Sequence, residues 1–210
     1  LASSDGHLEV NAGTTLDMTA PTIDLNASTA VTIDTDTLTV ASANSTDPLV
    51  VIKNTTSDAN GARLQFVKDK GAAGADGDDI GVIEFVGDDA AQAQTTFAKI
   101  LAEVSEADNT DEAGKLSFFV AESDGTDTAL TAGLVIEGEH ATDGQVDVTI
   151  GAGAASTTTV AGDLTVTGAD IVIGADGDGT DRTIIFGHST LKTIVGIDDS
   201  ADAFVINTDA

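Results

Sequence analysis

The sequence predicts an all-β protein that folds by assembly: a homotrimeric fibre in which short-repeat β-helical or β-prism shaft segments flank a small β-sandwich knob. Three observations lead there. Residues 8–40 carry apolar residues in pairs with one residue between them, and the pairs recur every seven or eight residues. The chain is 41% hydrophobic yet only 3% aromatic, so its apolar side chains are mostly small. It also carries 36 acidic against 8 basic residues, a formal charge of −28 over 210 residues.

The N-terminal arm, residues 1–48, holds the strictest repeat. Its pairs are Leu8 and Val10, Leu16 and Met18, Ile23 and Leu25, Val31 and Ile33, and Leu38 and Val40. A spacing of two puts both members of a pair on one face of a strand. Thr, Ala, Asn, Asp, Gly and Ser fill the gaps, and Pro48 closes the run, as suits a residue that cannot donate to a ladder.

The middle segment, residues 49–140, holds six of the eight basic residues and five of the seven Phe, a composition shift that marks a separate domain. It reads as longer strands at 49–53, 62–68, 80–86, 114–121 and 133–137, joined by acidic Gly-rich loops. Residues 95–107 fit two templates. Phe97, Leu101 and Val104 suit a helical face, whereas Ala98, Ile100, Ala102 and Val104 alternate as in a strand. The turn-rich "DNTDEAG" that follows favours a hairpin. Together these strands predict a small antiparallel sandwich. The C-terminal arm, residues 141–210, repeats the opening pattern more loosely, with Val146, Val148 and Ile150, Leu164 and Val166, Ile171 and Ile173, Ile184 and Phe186, and Phe204 and Ile206. Its tracts are too polar for a coiled coil and too β-branched for helix.

A strand with two inward side chains does not hold together alone in water. Single-chain solenoids need about 20 residues or more per coil, and repeats of seven or eight are too short. Three chains around one axis solve the geometry, each giving a short strand per face while the apolar pairs meet at a narrow centre. Composition excludes other classes. The chain has no Cys, which removes disulfides, zinc–thiolate sites and thiol nucleophiles. So few cations oppose binding to nucleic acid and to anionic lipid. No apolar run approaches a membrane span, so membrane insertion is not expected. With Leu1 first, a segment of a longer polypeptide is expected.

"GDLTVTG" (162–168) and "RTIIFGHSTLKTIVGIDDSADAFVINTDA" (182–210) resemble segments of structural and tail-fibre proteins of tailed bacteriophages, marine ones especially. Residues 63–104 resemble the domain that such proteins carry between repetitive arms. The resemblance implies a trimeric fibre on a virion, an extracellular particle, that spaces and presents a host-attachment region. The implied partners are further copies of the chain, other virion tail proteins, and a host surface glycan or protein. It brings no catalytic, cofactor or metal motif with it. Gly/Thr/Val repeats also occur in bacterial surface adhesins, which is the alternative; a polysaccharide-cleaving tailspike is the enzymatic one.

Candidate chemistry is sparse, and no enzymatic activity or cofactor is expected. Asp76, Asp78 and Asp79 in "GADGDD", and Asp176, Asp178 and Asp181 in "GADGDGTD", are closely spaced oxygen ligands of the kind calcium uses. Neither run has the Gly at position six or the later Glu of an EF-hand, and a solvated turn is the expected reading. His188 shares the parity of Ile184 and Phe186, which would aim three imidazoles at a trimer axis, able to hold an ion or a water, with bonding through water the expected reading. His7 and His140 are scattered, no GxSxG elbow exists, and no Phe sits in an acidic loop to stack against a sugar. The knob loops 69–79, 105–114 and 122–129 are the expected contact region, since loops on a rigid scaffold commonly carry binding.

Overall fold

The computed structural model describes residues 10, 12–27, 29–139, 144–153, 155–168, 171–173, 182–186, 192–198 and 203–209. Every element among them is a β-strand, and none is a helix. The chain divides into two units, Leu1–Gln65 and Phe66–Ala210.

In the first unit every described residue is exposed and none lies in a strand ladder. Its backbone is extended between bends, with a single backbone–backbone hydrogen bond among the described residues, from Asp47 N to Asn44 O at 3.4 Å. The apolar pairs therefore have nothing to cover them: Leu16, Met18, Leu25 and Ile33 all stand in solvent. One preorganised feature is the polar turn at 54–60. Asn54 Nδ2 donates to Asn60 O at 3.0 Å, and Asp58 accepts from Asn60 N and Nδ2. It brings the ends of two apolar segments, 49–53 and 62–68, towards each other. Those segments read as strands in the sequence, yet they are exposed and pair with nothing among the described residues. A strand needs a neighbour to complete its ladder, and this chain alone supplies none there.

The second unit contains two antiparallel sheets. The larger is a meander of β1 (Asp79–Asp88), β2 (Gln94–Glu106), β3 (Ala113–Ser123), β4 (Thr128–Gly138) and β5 (Val146–Ile150), hydrogen-bonded in chain order. Residues 95–107 thus resolve to a strand, and its partner at 113–123 makes the expected hairpin. The sandwich expected for the middle segment is instead one layer of strands. The segments 49–53 and 62–68 do not build the second layer, and β5, read as the first strand of the C-terminal arm, joins β4 through Leu134↔Ile150 and Ile136↔Val148. The smaller sheet is β6 (Arg182–Phe186), β7 (Lys192–Asp198) and β8 (Ala203–Asp209), also in chain order. Ile184, Ile185, Ile197, Phe204 and Ile206 are exposed in it. Among described residues only Leu101, at 7% exposure, and Ser117, at 3%, are buried.

Candidate interaction surface

The register of the large sheet sorts its residues onto two faces. One face carries the rows Ile83–Ile100–Phe118–Leu134–Ile150 and Gly81–Ala102–Leu116–Ile136–Val148, flanked by Phe85–Ala98–Val120–Thr131 and by Val104–Gly114 with Val146 beyond Gly138. No charged residue stands in these rows. The opposite face carries Glu84–Lys99–Phe119–Ala132, then Val82–Leu101–Ser117–Val135–Thr149, then Glu103–Lys115–Glu137–Asp147.

The charged face is closed by its own side chains. Lys115 Nζ pairs with Glu103 Oε1 at 3.3 Å. Lys99 Nζ stands 4.5 Å from the centre of the Phe119 ring, and the Ser105 hydroxyl donates to Glu137. Long aliphatic stems lie along apolar surface while their heads meet water. Leu101 and Ser117, the two buried residues, sit in the row between these charged rows. On the apolar face Phe66 packs against Gly81 at the β1 edge, yet Phe85, Val120, Val148 and Ile150 are each more than half exposed.

Loop positions follow from the meander. The segment 69–78 and the β2–β3 loop lie at one end of the sheet, tied by Ala107 N donating to Asp76 Oδ1 at 2.9 Å. The loop at 124–127 lies at the other end, because β3 runs antiparallel to β2. The three loops expected to act together therefore form two groups.

The Asp cluster at 74–79 serves the backbone. Asp78 Oδ2 accepts from Lys70 Nζ at 2.5 Å and from Ala75 N at 2.8 Å. The Lys70 bond, then the Ala75 N–H, hold the Asp78 carboxyl below the usual carboxylate range. Gly77 N to Val104 O at 2.8 Å and Val104 N to Asp78 O at 2.9 Å carry the β1–β2 ladder into this loop. Asp79 opens β1 opposite Glu103. Among the described residues no three acidic or imidazole groups are placed to hold a metal ion. Asp124 likewise caps its turn, accepting from Thr126 N and Asp127 N, and the Asp127 bond is the main cause of its lowered pKa. Asp176, Asp178, Asp181, His7, His140 and His188 lie outside the described residues.

A cavity of about 610 Å³ is lined by Val120, Glu122, Thr131, Ile150 and, in the turn after β5, by Gly151–Gly153 and Ser156–Thr158. That turn is fixed by Gly151 N to Gly133 O at 2.9 Å, and Glu122 is the cavity's one ionisable lining residue. A single carboxylate does not furnish the pair that glycoside cleavage uses. Sequence reading missed the two-faced sheet as a surface. The signal for its apolar side was present in the alternation of Ala98, Ile100, Ala102 and Val104, but the charged pairs across strands needed the register. Comparison with family models, curated proteins and solved structures finds no match to this chain.

Proposed function

We propose that this chain is a structural segment of a homotrimeric bacteriophage tail fibre, non-enzymatic, that spaces and presents a host-attachment region on the virion. One observation carries the assembly: the described residues of 10–65 are extended, all exposed and almost without internal backbone hydrogen bonds, yet rich in apolar pairs. Water meets the exposed backbone groups, but the apolar pairs gain free energy only when a partner removes them from water. The resemblance of 162–168 and 182–210 to tail-fibre sequences supports the viral setting. The arms form the shaft, and the loops at the ends of the large sheet meet a host surface glycan or protein, or another virion protein, with trimerisation multiplying weak contacts. Light scattering on the purified chain tests this reading. A mass of three chains is the expected result, and a monodisperse monomer at micromolar concentration rejects it.

A further inference from the structure

We infer that the apolar face of the β1–β5 sheet is the surface through which copies of this chain join, while the charged face stays turned to water. The inference rests on the assembly reading above and adds to it a specific surface and a specific occupant.

The two faces differ in what they lack. The charged face has its cover already, in the Lys115–Glu103 pair and in Lys99 over Phe119, with Leu101 and Ser117 buried between the charged rows. On the other face Ile83, Phe85, Val120, Val148 and Ile150 stand between 40% and 60% exposed. Five strands at ~4.8 Å and about seven residues at ~3.4 Å give a patch of roughly 550 Å² in projection. That reaches the upper end of the ~300–600 Å² seen for apolar patches on monomers. Side-chain relief raises the accessible area towards the ~800 Å² per partner of a stable interface.

Charge selects the occupant. Each chain carries −28, so copies repel, and they approach most closely where charge is absent. Four adjoining rows without a charged residue provide that place. A second copy brings the same four rows without charge, with Glu122 at their margin beyond Val120, whereas the reverse side presents Glu84, Glu103, Glu137 and Asp147 to its twin. A partner must also cover the exposed pairs of 10–40 and the segments 49–53 and 62–68.

Val148 and Thr149 test this within one strand. Both are exposed in the single chain, and they point to opposite faces of β5. Val148→Asp and Thr149→Asp lose the same strand propensity, so their difference isolates the face. The expected result is that Val148→Asp raises the concentration needed for assembly by at least about tenfold, while Thr149→Asp assembles like the parent, by sedimentation. Because the chain has no Cys, Val148→Cys and Thr149→Cys each introduce a single thiol. The Val148→Cys thiol should react at least about tenfold more slowly with a maleimide, since a thiol in a closed interface reacts only through opening. An assembled parent with equal thiol rates and no effect of Val148→Asp overturns the face assignment and leaves assembly standing. A monomeric parent overturns both. Protection of the Val148→Cys thiol that arises only when a different protein is added overturns the identical copy as occupant.

Discussion

At Gly81 a hydrogen in place of a side chain decides how the apolar face closes at its β1 edge. A Cβ there would lie 2.8 Å from Phe66 Cβ and 2.9 Å from its Cγ, inside contact distance. Because the obstructing atoms sit at the base of the Phe66 side chain, rotation about its outer bonds does not relieve the clash. Gly81→Ala should therefore destabilise the second unit by about 1–3 kcal/mol, the usual cost of overpacking. Phe66→Gly in the same chain, which removes the obstructing Cβ as well as the ring, should recover most of that loss, whereas Phe66→Ala keeps the Cβ and should recover less; a double-mutant cycle on urea unfolding measures the coupling. Strict additivity of the two substitutions would reject the contact. Phe97 meets Gly87 similarly, with ring carbons 3.3 Å from where a Cβ would stand. These contacts were not legible in the sequence, because nothing in local spacing brings Phe66 to Gly81 or Phe97 to Gly87. Nor was the use of Asp76 and Asp78 as backbone acceptors, because spacing alone does not separate a cation loop from a turn whose carboxylates cap N–H groups.

Strands were legible where alternation met a turn signal. Residues 98–104 alternate four times, yet Phe97, Leu101 and Val104 fit a helical face as well, and it was the turn-rich stretch at 108–114 that favoured the strand that the structure shows as β2. The bulges were not legible. Phe97 and Ser105 are skipped in the pairing of β2, and Gly133 in that of β4. A bulge depends on the partner strand, which local sequence does not contain. The segments 49–53 and 62–68 have strand composition but no ladder among the described residues, so composition reported a tendency that needs a partner to be met. The same holds for the paired repeat of 8–40, and it leads to an element-scale prediction. Ile23, exposed in the single chain, belongs to the third apolar pair. In a trimeric shaft Ile23→Asp brings three carboxylates into a low-dielectric centre, at a cost of several kcal/mol. Asp24→Ala, one residue along, faces water and should be nearly silent. Trimer content and melting of the two variants check the assignment, and indistinguishable behaviour would show that the pair does not point inward.

For the whole molecule, charge and burial pull in opposite directions. Three copies at −28 bring a formal −84 into one particle, and that repulsion opposes the contacts that the apolar surfaces favour. Monovalent salt screens it, with a Debye length of ~8 Å at physiological strength and ~3 Å at molar strength. Charges on the charged face of the large sheet stand in adjoining rows, and assembly brings further copies of them close, so screening acts on the assembled state more than on separated chains. Salt also strengthens apolar burial when its ions are excluded from the surface. Both effects have the same sign. We therefore expect the assembled protein to melt at a higher temperature at seawater-like sodium chloride than in dilute buffer, and sodium sulfate to act at least as strongly at equal ionic strength. The cluster at 74–79 makes no demand for a specific ion, since Asp76 and Asp78 already accept from N–H groups and Lys70. Thermal melting across a salt series, with the oligomer mass measured beside it, checks the expectation. A melting temperature indifferent to sodium chloride but raised by micromolar calcium would replace general screening with a specific cation site.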